Sequence, residues 1–142
     1  MTFTSDAEIK STTDAFMAKT LPKPDWTHEA HFAVALCLLA DETRDAFREM
    51  PLRIRAYNEA TGVANTETEG YHETITLACL RGAAAHLRAA EPTMALYDVL
   101  ASLMAGPMGR SDWLLSHWSR SLLFTPRARR TWVAPNLQPL PF

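Results

Sequence analysis

The run Phe32-Ala33-Val34-Ala35-Leu36-Cys37-Leu38-Leu39 constrains the fold more than any other stretch. It is apolar on every face that a helix could present, and it follows Asp25 and Thr27, either of which can cap a helix N-terminus. A helix that is apolar all round must be covered all round, so residues 27–40 are expected to form a central helix with others packed about it. The apolar run ends at Ala40, at about half the length that a membrane span needs, so it reads as core.

The rest of the chain supplies the partners. Residues 5–19 read as a helix capped by Ser5 or Asp6, and Leu21-Pro22-Lys23-Pro24 ends it as a stiff linker. Residues 42–60 read as a third helix capped by Asp41, with a kink or break at Pro51 and a stop at Gly62. The polar segment 61–70 is longer than the usual connection in a bundle, which predicts a loop lying over a site. Residues 71–90 and 93–105 read as a fourth and a fifth helix, followed by a break at Gly106-Pro107-Met108-Gly109. Short helices are expected within 112–123 and at 127–132, where Thr125-Pro126 is a fitting cap. The Pro-rich end, 133–142, reads as an extended tail with Leu137, Leu140 and Phe142 available to dock. There is no period-two alternation and no internal repeat. The expectation is an all-α fold, a single domain over 1–142 built as a bundle of about five helices, its core centred on Leu36, Cys37, Leu39, Ile75, Cys79 and Gly82.

Composition narrows the partners. A formal net charge of −2 gives no basic field for nucleic acid or an anionic membrane. The only lysines are Lys10, Lys19 and Lys23, which leaves no Schiff-base lysine in the body of the domain and makes arginine the anion-binding residue. Cys37 and Cys79 each lie in an apolar helical run and read as buried free thiols. The N-terminus carries neither a basic start nor an apolar signal core, so the chain reads as soluble and cytoplasmic.

Two helix heads carry ionisable groups: Asp25-Trp26-Thr27-His28-Glu29-Ala30-His31 and Gly70-Tyr71-His72-Glu73-Thr74. If successive helices run antiparallel, the N-termini of the second and fourth helices fall at one end of the bundle, with the end of the third helix and the 61–70 loop. His28 and His31 share a helix face. With His72 they form a candidate ligand set for a divalent metal, zinc or iron. His72 and Glu73 are the candidate catalytic acid–base pair, with one of the two expected to face the site. His72 is expected to stay neutral, because the positive end of a helix dipole disfavours imidazolium. Tyr57, Asn58, Asn65 and Tyr71 are the candidate substrate-lining residues, and Arg55, Arg81 and Arg110 could hold an anion. Helix capping and dipole compensation account for several of these groups without any site.

Trp26-Thr27-His28-Glu29-Ala30-His31, Ile54-Arg55-Ala56-Tyr57-Asn58, Asn65-Thr66 and Gly70-Tyr71-His72-Glu73-Thr74, with the Pro-rich end, resemble a group of small bacterial helical proteins. That resemblance covers most of the chain and implies no mechanism. The architecture is loosely similar to DinB-like metal-binding bundles, which place three histidines at one end of a bundle. Those bundles draw a His-x-x-x-His pair from a late helix, whereas here the pair lies on the second helix at a different spacing, so no ligand is carried over.

Three functions fit these residues. The first is a small-molecule enzyme with a His/Glu site, metal-assisted or proton-transferring. The second is a protein that binds a small-molecule ligand without chemistry. The third is an interaction module whose Trp-rich last third, Trp113, Trp118 and Trp132, forms a partner or homodimer surface.

Overall fold

The structure, a computed structural model, describes residues 3–142. Five main helices follow one another: α1 (Asp6–Met17), α2 (His28–Ala40), α3 (Ala46–Ala60), α4 (Glu73–Ala89) and α5 (Leu96–Ala105). Two short helices close the chain, α6 (Arg120–Leu123) and α7 (Pro126–Arg130). Single 3-10 turns lie at Lys23–Asp25, Pro107–Gly109 and Trp113–Ser116. No strand occurs among the described residues, and no helix is long and apolar enough to cross a membrane.

α2 is the axis of the bundle and packs against α1, α3, α4 and α5. Phe32, Ala33, Val34, Ala35 and Leu36 are all buried in succession, as a helix without a polar face requires. Leu36 and Gly82 lie in the core, while Cys37, Leu39, Ile75 and Cys79 are half-buried and pack against it. A side chain on Gly82 would collide with the thioether of Met108, so this glycine sets how closely the chain after α5 approaches α4.

Local chemistry fixes the helix ends. Ser5, Thr27 and Asp45 accept from the backbone N–H groups of Glu8, Ala30 and Arg48. α3 therefore starts later than expected, because Asp41 closes a turn of its own by accepting from Thr43. α3 also runs unbroken through Pro51, which lies near its start, so only one intrahelical donor is lost. The stop is a Schellman turn: Val63 N–H donates to Asn58 O at 2.8 Å and Gly62, at φ +83°, donates to Glu59 O. α5 has no capping side chain of its own. Asp6 of α1 supplies the cap, accepting from the N–H groups of Leu96 and Tyr97.

The C-terminal third is packed rather than presented. Trp113 and Trp118 are buried, and Trp118 donates its indole N–H to Val133 O at 3.0 Å. Trp132 is half-buried, with the Arg81 guanidinium 3.9 Å above its ring. Trp113 and Trp118 thus form interior walls, and of the three rings Trp132 alone keeps part of its surface accessible. In the tail, Leu140 packs on the core, Phe142 lies beside Trp113 with its ring partly exposed, and Leu137 is exposed.

Candidate functional site

The heads of α2 and α4 do meet, and a cavity of about 490 Å³ lies between them. Its walls follow helical spacing. His28, His31, Phe32 and Ala35 come from one face of α2, and Met50, Ile54 and Asn58 from one face of α3. His72, Ile75, Thr76, Cys79 and Leu80 come from one face of α4. Trp26, Val63, Gly70, Ser111, Trp113 and Leu114 close the ends. No Asp, Glu, Lys or Arg belongs to the lining.

Each histidine of the lining has a backbone partner that fixes its tautomer. His28 Nε2 lies 2.8 Å from Met108 O and His31 Nδ1 lies 2.8 Å from Thr27 O. A carbonyl only accepts, so both nitrogens carry the proton. The opposite nitrogens, His28 Nδ1 and His31 Nε2, have no hydrogen-bond partner among the described residues. The His31 ring stacks on Trp26 at 3.7 Å, and Trp26 stacks in turn on Phe16 at 4.2 Å, which holds the imidazole plane in place. Burial lowers the pKa of His31 to about 4, and the proximity of His28 adds to this effect against the opposing pull of the Thr27 carbonyl.

His72 is engaged on both sides. Its Nδ1 caps α4 by accepting from Ile75 N–H at 3.2 Å, and its Nε2 donates to Leu123 O at 2.7 Å. Burial disfavours its charged form, with the nearby Arg129 a further cause. The neutral form expected from the helix dipole is thus favoured, chiefly by desolvation. Two neighbours complete a clamp on the C-terminal segment. The buried Thr74 hydroxyl lies within hydrogen-bond distance of Ala128 O and Thr131 O and accepts from Val133 N–H. Arg129 donates to Gly70 O at 3.0 Å. The Gly70–Thr74 stretch is therefore the anchor for α6 and α7, a role that its ionisable groups do not reveal in one dimension.

Asn58 is the one candidate lining residue that the structure places on the cavity. Tyr57 is buried in the core, its hydroxyl donating to Leu21 O, because its ring fills the space beside Phe16 and Trp26. Asn65 and Tyr71 line a separate groove with Arg55, Arg129 and Arg130. Asn65 holds the loop to α3: its Oδ1 accepts from Asn58 Nδ2 and Tyr71 N–H, and its Nδ2 donates to Arg55 O. Glu73 accepts from the Tyr71 hydroxyl and is not among the residues that line the cavity. Arg55 lies over the Tyr71 ring, Arg81 over Trp132, and Arg110 pairs with Asp112, so none of the three reaches the cavity.

The residues missed by sequence reasoning are the apolar walls and two small hydroxyls, Thr76 and Ser111. The signal was present: stepping by three, four and seven from His28 and from His72 finds Phe32, Ala35, Ile75, Thr76 and Cys79. Burial pushes the Cys79 thiol up to about 12, so it stays protonated, and the indole N–H of Trp113 lies against it with no oxygen or nitrogen acceptor.

Among the described residues, no three His, Cys, Asp or Glu side chains are grouped so as to hold a metal ion. His72 has no ring nitrogen to spare, which leaves His28 and His31 as the only imidazoles of the proposed ligand set with a free nitrogen. No protein-family model, curated protein or solved structure matches the chain.

Proposed function

We propose that this chain binds a small, largely apolar molecule in the cavity between the heads of α2 and α4. The observation that carries this reading is an internal space of about 490 Å³ whose lining is mostly aliphatic and aromatic, with a few fixed polar groups and no charged side chain. Pockets of that size and lining suit organic ligands held by apolar contact and oriented by one or two hydrogen bonds. Binding without chemistry has more support than catalysis. His72 has both nitrogens in use, Glu73 serves Tyr71, and an imidazole with a pKa of about 4 is a weak base at neutral pH. A divalent metal would have to rest on His28 and His31, short of the three protein ligands typical of catalytic zinc.

The test is a fluorescence titration with N-phenyl-1-naphthylamine, an uncharged dye that brightens in apolar surroundings. Saturable binding to one site is expected. Val63→Trp, which fills the cavity from the loop side without removing a side-chain hydrogen bond, should weaken it by about tenfold while leaving the helical circular dichroism intact. Equal dye binding by the folded variant would refute the assignment.

A further inference from the structure

Resting on that reading, we infer that the cavity selects an uncharged ligand carrying an O–H or N–H donor, which it receives on His31 Nε2 and Asn58 Oδ1. The polarity of both acceptors is set by the backbone. Thr27 O takes the proton of His31 Nδ1, so in the neutral ring Nε2 bears a lone pair. Neutral imidazole is the form present at pH 7, because burial holds the pKa of His31 at about 4. The Trp26 stack holds the ring plane, and the hydrogen bond to Thr27 O selects which edge is left for the cavity.

Asn58 is oriented through a relay. Tyr71 N–H is a donor and must meet an oxygen, so it fixes Asn65 Oδ1. That oxygen can face only the NH₂ of Asn58, 3.0 Å away, so Asn58 Oδ1 is left without a partner among the described residues. Asn65 Nδ2 is held in turn by Arg55 O, which prevents the relay from flipping. Asn58 and His31 both line the cavity, and among the described residues no cation lines it to receive a carboxylate or phosphate. An anion would be desolvated there without compensation, and an ether or ketone would leave the acceptors unpaired.

The experiment is displacement of N-phenyl-1-naphthylamine by three naphthalenes of similar size: 2-naphthol, 2-methoxynaphthalene and 2-naphthoate. 2-Naphthol should bind about tenfold more tightly than its methyl ether, the ratio expected for one neutral hydrogen bond, and naphthoate should be the weakest. In His31→Phe, which keeps a ring against Trp26 and removes one of the two acceptors, the preference for naphthol over its ether should shrink, and in His31→Phe combined with Asn58→Leu the two should converge. A second readout needs no variant: the ¹⁵N resonance of His31 Nε2 in the native protein should move upfield with naphthol and stay in place with the ether. Equal binding of naphthol and ether by the native protein overturns this inference, as does naphthoate binding most tightly. A dye that binds in the cavity but is displaced by none of the three also overturns it, with the binding function intact. A dye that shows no saturable binding at all sinks the pocket itself.

Discussion

Replacing His72 tests whether the stretch from Gly70 to Thr74 is structural. The side chain is buried and carries two hydrogen bonds, one capping α4 at Ile75 and one to Leu123 O. His72→Ala removes an N-cap, worth about 1 kcal/mol. It also strands the carbonyl of Leu123, in a residue that is itself buried, at a cost of about 1–3 kcal/mol. The vacated space adjoins an existing cavity, so a separate void adds little. The expected loss is about 3 kcal/mol, and for a chain of this size that lowers Tm by about 10 °C. His72→Asn divides the two contributions, because asparagine caps a helix but is too short to reach Leu123 O, and it should recover about 1 kcal/mol of the loss. Equilibrium urea unfolding followed by circular dichroism measures both variants. A loss below about 1 kcal/mol in His72→Ala would refute the clamp and return His72 to a purely functional role.

Three further outcomes are expected. The folded-state pKa of His31 lies below its unfolded value of 6.5, so between about pH 6.5 and pH 4 the unfolded chain binds a proton that the folded chain refuses, and stability falls as pH falls through that window. Urea midpoints of the native protein and His31→Gln should therefore converge or cross on acidification over that range, and parallel curves would contradict the desolvated environment. Gly82→Leu should overpack α4 against Met108 and cost about 1–3 kcal/mol, and an unchanged midpoint would show that Met108 swings away freely. Gly70 sits at φ +81°, and a Cβ there would meet Ala64 O and Asn65 Oδ1, so Gly70→Ala should loosen the 61–70 loop, read as faster amide exchange at Tyr71.

How much was legible depends on whether a property is local. Helical spacing and end signals are local, so the five main helices were readable, as was the non-helical, Pro-rich tail 133–142. Errors at helix ends arose where the cap came from elsewhere: Asp6 of α1 caps α5, and Asp41 spends its carboxylate on Thr43 instead of α3. Antiparallel succession was enough to bring His28, His31, Asn58 and His72 to one cavity.

The sequence by itself determined that the chain must be a helical bundle around 27–40, because an all-apolar helix cannot remain uncovered in water. It also determined which residue types gather at the end where α2 and α4 begin. Only the tertiary structure decided what those residues do. A histidine in a sequence is equally a ligand, a base or a cap. His72 became a clamp because Leu123 O, 51 positions away in sequence, reached its Nε2. His31 became an acceptor facing a cavity because its other nitrogen found Thr27 O and its ring found Trp26. Hydrogen-bond partners are a matter of distance in space, and distance in space between remote segments is set by packing.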